Sequence, residues 1–166
     1  MDQETTAPDD AGKEAEALEL SVTRFIAAPP ERVWHVLIER QEEWWCPRPW
    51  RMRIDERECR AGGRCRTTML GPEGEVIAQD GLFLAFEEGR MFATTDAISG
   101  DLRPARPFMI GIWEIAPEGE GTRYTGRARH WNAEDKRAHE EMGFTQGWNA
   151  VAEQLAALCE EAGENG

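Results

Sequence analysis

From Trp50 to Trp131 the chain reads as strand after strand, and a single helical stripe follows. Residues 64–70, RCRTTML, alternate strictly, with Arg64, Arg66 and Thr68 on one side and Cys65, Thr67 and Met69 on the other. The same reading places strands at 50–59, 76–86, 90–96, 107–116 and 122–131, with turns at Ala61-Gly62-Gly63, Gly71-Pro72-Glu73-Gly74, Glu87-Glu88-Gly89 and Pro117 to Gly121. A longer loop spans 97–106. Strands joined by such short links pair antiparallel, and a sheet with one apolar face needs a cover. The stripe Met142, Thr145, Trp148, Ala152, Leu155 and Cys159, widened by Val151 and Leu158, supplies it, predicting one long helix over 133–161. Asn132 can cap its start. Gly143 and Gly147 interrupt it, at about 1 kcal/mol each.

Ahead of the sheet, residues 19–27 alternate as a further strand. Pro29-Pro30 then starts a short helix with Val33, Trp34, Leu37 and Ile38 on one face. Pro47 and Pro49 stop any continuation, and Trp44, Trp45 and Trp50 cluster around them. The predicted class is α+β: a curved antiparallel sheet gripping a C-terminal helix, with two short helices after the first strand.

Charge is unevenly distributed. The chain carries 32 Asp and Glu against 19 Lys and Arg, a net −13. Residues 1–17 hold −5 of this and residues 160–166 another −3, which leaves −5 for the body. The expected layout is an acidic disordered tail over 1–17, one domain over 18–160 and a flexible end over 161–166. An acidic chain is a poor general binder of nucleic-acid phosphates. With no apolar span and no basic-then-apolar leader, a soluble cytoplasmic protein is expected, without membrane insertion. Two arginine-rich strips stand out: seven Arg between Arg48 and Arg66, and the row Arg123, Arg127 and Arg129.

Cys46, Cys59, Cys65 and Cys159 form no CxxC pair, so free thiols are expected, although Cys59 and Cys65 could oppose each other across a hairpin. His35, His130 and His139 do not cluster with them in sequence, and no metal or cofactor is implied.

In RYTGRARHW, the charged face Arg123, Thr125, Arg127 and Arg129 must meet water. Tyr124, Gly126, Ala128 and His130 therefore face inward. Two of these are very small, so either the helix comes very close or space is left.

Several motifs, in order, resemble one family. APPERVWHVLIERQEEWWCP is similar to the first helix and WW-x-P element of the SRPBCC superfamily, the START-like helix-grip proteins. RAGGRCR resembles its glycine hairpin, MFATTDA its Phe-Thr-Asp-Ala strand, GEGTRYTGRARH its GGTRLT strand, and EMGFTQGWNAVAEQLAAL its terminal helix. The branch it most resembles is named for the activator of the heat-shock-protein-ninety ATPase. The resemblance implies a seven-stranded sheet around the helix, enclosing a cavity for hydrophobic small molecules or lipids. Cys65, Gly126, Ala128 and His130 depart from the family pattern, the first three toward smaller side chains. A roomier cavity is expected, unless Trp148 or Met142 fills the space beside Gly126.

The resemblance and the alternation together give a cavity walled by Met52, Cys65, Thr67, Met69, Trp113, Tyr124, Gly126, Ala128, Met142 and Trp148, with Trp45 and Trp50 near its mouth. Tyr124 and His130 are its polar groups. Binding of a hydrophobic small molecule or lipid is the leading expectation. One alternative is an enzyme of the polyketide cyclase or dehydratase kind, with His130 and Tyr124 as candidate acid–base residues. Another is a cochaperone-like protein-binding module that stimulates a chaperone ATPase, its arginine strips meeting an acidic surface of the chaperone partner. Monomer and homodimer both remain open.

Overall fold

The computed structural model describes residues 12–14 and 17–161. The alternating segments become β1 (Glu19–Ile26), β2 (Arg51–Arg57), β3 (Arg64–Leu70), β4 (Val76–Glu87), β5 (Met91–Thr95), β6 (Ile110–Glu118) and β7 (Gly121–Arg129). They form one sheet in the order β1-β7-β6-β5-β4-β3-β2, every neighbouring pair antiparallel. Strands β2 to β7 are a meander, and β1 closes onto the last of them, so β1 and β2 are the edges. The acidic tail expected over 1–17 lies largely outside the described residues; residues 12–14 and 17 are helical and exposed. The tail expected over 161–166 lies outside them too, save Glu161.

Helix α1 (Pro30–Glu39) starts as the prolines require, with Pro29 extended and Glu31 in the first turn, where its charge suits the helix dipole. It buries Val33, Trp34, Val36, Leu37 and Ile38. The four-residue α2 (Gln41–Trp44) follows and drives Trp44 into the core, where its indole nitrogen donates to the Leu37 carbonyl at 3.2 Å.

The helix expected over 133–161 is two helices, α3 (Ala133–Glu141) and α4 (Phe144–Glu161). Gly143 separates them at φ 96°, a left-handed conformation in which any other L residue is strained by about 1–2 kcal/mol. This break resets the buried stripe. Phe144 takes the place expected for Thr145, which is exposed, and Met142 is 73% exposed. From Trp148 onward the expected stripe holds, with Val151, Ala152, Leu155, Ala156 and Cys159 buried. Asn132 caps α3 as expected, its side-chain oxygen accepting the Asp135 amide at 2.8 Å.

Helix α4 lies on the inner face of the sheet and packs most heavily on β1. The core between them includes Val22, Ile26, Trp44, Trp113, Tyr124, Ala128, Trp148 and Leu155. On the outer face the arginines are paired. Glu19 accepts from Arg127 at 3.3 Å and from Arg129 at 2.9 Å, and Glu114 pairs with Arg127. Four of the seven hairpin-strip arginines are paired in the same way, by Arg53–Asp55, Arg60–Glu58, Arg66–Glu56 and Arg64–Asp101 contacts, while Arg48 and Arg57 donate to the Glu43 and Ile38 carbonyls. Cys46, Cys59, Cys65 and Cys159 are free thiols, so the Cys59–Cys65 bridge considered above is not made.

Candidate functional site

Register in β6 and β7 builds the floor of the site. Gly111 lies opposite Ala128, and Trp113 opposite Gly126. The Trp113 ring leans back along its own strand and covers Gly111, where any Cβ would collide with it. Trp148, descending from α4, covers Gly126: a Cβ there would stand 3.1 Å from the Trp148 ring and 2.9 Å from the Tyr124 hydroxyl. The small residues of β7 thus admit large rings, and the roomier cavity expected beside Gly126 is not present. Trp148 fills it.

What occupies the interior is a layer of aromatic rings. Phe92 stacks on Trp113 at 4.8 Å, and Trp113 lies parallel to Trp148 within 13° at 5.8 Å. Trp45 stands edge-on to both, at 5.4 Å from Trp113 and 5.2 Å from Trp148. Phe144 continues the layer beyond Trp148, at 4.7 Å. A cleft of about 150 Å³ opens beside Trp45, lined by Cys46, Pro47, Met69, Gly147, Trp148 and Val151.

Two polar atoms within this layer stand out. Trp113 is 4% exposed and Tyr124 0%, yet neither the Trp113 indole nitrogen nor the Tyr124 hydroxyl has a hydrogen-bond partner among the described residues. An unpaired buried donor costs about 1–3 kcal/mol, which makes such atoms rare in a well-packed core. Burial raises the Tyr124 phenol far above its ordinary range, so it stays a neutral O–H.

His130 is buried as expected, but its partner is His139 of α3, not Tyr124. Its Nδ1 lies 2.9 Å from the Leu18 carbonyl and its Nε2 2.9 Å from His139 Nδ1. A carbonyl only accepts, so His130 Nδ1 carries its proton, and His130 Nε2 accepts from His139 Nδ1–H. Both ring nitrogens of His130 are engaged, which leaves none to act on a bound molecule. Phe108 and Phe144 flank His139 at 4.7 and 5.0 Å. Burial, helped by the neighbouring His130, pushes the His139 pKa down to about 4.

The remaining expected wall residues divide. Met52 and Met69 face each other across β2 and β3, and Met69 lines the cleft. Ala128 is buried, while Cys65 and Thr67 are half-buried farther along β3. Burial pushes the Cys65 thiol up to about 11. Trp50 is half-buried and does not line the cleft, and Met142 turns to solvent because Gly143 breaks the helix ahead of the stripe.

Gln154, His139, Phe92 and Gly111 were not anticipated. Gln154 of α4 holds the segment that carries Trp45. Its amide nitrogen donates to the Trp44 and Cys46 carbonyls at 2.9 and 3.0 Å, and its oxygen accepts the Arg48 amide at 3.2 Å. Only the two-residue spacing of Gly111 and Trp113, which puts them on one face of a strand, carries a sequence signal. A second, open groove of about 440 Å³ runs between α1 and the β4–β5 turn, where Trp34 donates to Glu88 at 3.0 Å.

The family model described as Activator of Hsp90 ATPase homolog 1-like protein matches residues 27–160. The chain belongs to that family. Its helix-grip fold recurs in a crystal structure of a protein from Nitrosomonas europaea, 35% identical, covering 87% of this chain and 96% of that one with a TM-score of 0.81. A Mycobacterium smegmatis protein is 27% identical, covers 87% of this chain and 91% of its own, and superposes with a TM-score of 0.72. An Arthrobacter aurescens protein, 24% identical over 89% of this chain and 88% of its own, shares the fold at 0.76. No curated protein matches. The family's fold is that of a ligand-binding or cochaperone-like module. Among the described residues no helix is long and apolar enough to cross a membrane.

Proposed function

We propose that this protein binds a hydrophobic small molecule in the interior beside Trp45, in the apolar cleft that Met69, Trp148 and Val151 line. The observation that carries this reading is the pair of buried, unpartnered polar atoms, Trp113 Nε1 and Tyr124 OH, on residues that stand directly behind the Trp45 and Trp148 rings lining an apolar cleft. Sites for small molecules combine such walls with a few placed polar groups. Walls of this kind suit a hydrophobic guest, and the two polar atoms would orient it. The cochaperone-like alternative has less support here, since most arginines of the two strips, Arg53, Arg60, Arg64, Arg66, Arg127 and Arg129 among them, are already ion-paired within the chain.

Native mass spectrometry of the purified protein, with a thermal-shift screen of aromatic compounds and fatty acids, tests the reading. A copurifying small mass, or a rise in melting temperature that saturates with compound, is expected. No bound mass and no shift with either class would overturn it.

A further inference from the structure

We infer that Trp45 is a movable lid, and that the molecule it admits is a flat aromatic bearing an acceptor oxygen. This deepens the interior-binding reading and rests on it.

Trp45 is half-buried, whereas Trp44, Trp113 and Trp148, the rings it touches, are buried. It meets the parallel Trp113 and Trp148 rings edge-on, so turning it outward uncovers both. The next residue, Cys46, sits at φ 75°, in the left-handed region that side-chain-bearing residues avoid. Strain of this sort gathers at ligand clamps and switches. Gln154 meanwhile holds the main chain on both sides of Trp45 through the Trp44 and Cys46 carbonyls. The indole can therefore turn about its own side-chain bonds while the loop stays in place. The neighbouring cleft, about 150 Å³, matches a dry cavity of about 150 Å³ that takes a benzene-sized ring. With the Trp45 ring displaced as well, a fused two- or three-ring system has room.

The polar atoms set the guest's chemistry. Trp113 Nε1–H can only donate, and the neutral Tyr124 O–H can donate too. Two donors that no protein group satisfies, on residues behind the rings of the cleft, match a carbonyl or ether oxygen on a guest that displaces Trp45, and mismatch an ammonium group. The aromatic layer matches a flat ring face, because aromatic pairs gain from stacked and edge-to-face geometry beyond area alone.

Fluorenone and fluorene form a suitable probe pair, equal in shape and differing in one carbonyl oxygen. Binding is followed by quenching of tryptophan fluorescence at equilibrium and by stopped flow, on the full chain and on Trp45→Ala, Trp45→Phe, Trp113→Phe and Tyr124→Phe. Melting curves establish that each variant is folded, and Trp45→Phe keeps the lid test available if Trp45→Ala is not. Fluorenone is expected to bind roughly fivefold tighter than fluorene, the size of one net hydrogen bond. That preference should vanish in Trp113→Phe and shrink in Tyr124→Phe. Association should be faster in both Trp45 variants, more so in the smaller one. Equal affinities for the two probes, or association rates unchanged in the Trp45 variants, overturn this inference and leave interior binding standing. No binding of either probe to wild type or to the Trp45 variants overturns this inference too, whereas interior binding as such falls only if the mass-spectrometric and thermal-shift screen also finds no ligand of either class.

Discussion

The Trp148 ring lies 3.1 Å from the point where a Cβ on Gly126 would stand. Contact across this gap joins α4 to the sheet, and it has no slack. Gly126→Ala forces Trp148 or the Tyr124 hydroxyl to move. Overpacking of this kind costs about 1–3 kcal/mol. Chemical denaturation should show that loss, with tryptophan emission shifted in the folded state. A variant as stable as wild type would mean that the rings have room the structure denies them.

Gln154→Ala leaves the Trp44 and Cys46 carbonyls and the Arg48 amide without their side-chain partner. A loss of about 1–3 kcal/mol is expected, concentrated in the segment around Trp45. Hydrogen exchange should report faster exchange at residues 44–50 than in the strands. Gln154→Glu is expected to be worse at neutral pH, because a carboxylate turns the donor to two carbonyls into a third acceptor.

The histidine pair makes the fold acid-sensitive. His139 is held below its ordinary pKa, at about 4, first by burial and second by the charge His130 can carry. A histidine with a depressed folded pKa is more readily protonated when unfolded. Its contribution is complete above the unfolded value of about 6.5 and is lost as pH falls from there toward 4. Melting temperature should drop across that window. His139→Asn keeps an N–H at the Nδ1 position for His130 Nε2 but cannot titrate, so its melting profile should be flatter there. Parallel profiles would show that other groups govern the acid response.

Glu19 is shared by Arg127 and Arg129 and its side chain is 13% exposed. Glu19→Ala is expected to cost about 1 kcal/mol at low salt, the upper end for pairs near a surface. The difference from wild type should narrow at high ionic strength, where exposed charges are screened within a few ångströms. Denaturation at two salt concentrations measures it directly.

The break at Gly143 separates two neighbouring substitutions. Met142→Ser removes an exposed side chain and should change stability by less than about 0.5 kcal/mol. Gly143→Ala puts a Cβ at φ 96° and should cost about 1–2 kcal/mol. Were α3 and α4 one continuous helix in solution, the order would reverse: alanine would be favoured at 143 and Met142 would be missed.

Much of this architecture was legible because sheet periodicity is local. Arg123, Thr125, Arg127 and Arg129 must alternate with buried neighbours whatever lies elsewhere, so the inward side of β7 followed from nine residues. The resemblance across five ordered motifs then assigned the rest of the fold. The interior was a different matter. Gly126 and Ala128 state how little the strand contributes, not what descends upon it, and Trp148 arrives from a separate element. His130 was read as inward, but its partner depends on how α3 is angled, which Gly143 decides. Glycine at mid-helix was visible as a cost. Whether the chain bears that cost in a continuous helix or escapes it by breaking depends on the tertiary space around Phe144 and Met142, which no periodicity encodes.

Gln154 and Trp148 ride on the same helix. One grips the main chain around Trp45 from outside, and the other forms the wall that Trp45 touches from within. Doorframe and inner wall are thus parts of one lever. Any displacement of α4 would carry the Gln154 contact with the Arg48 amide along with it, and Arg48 lies on the surface. The wall a guest would touch and the anchor of an exposed loop therefore belong to one rigid element and cannot shift independently.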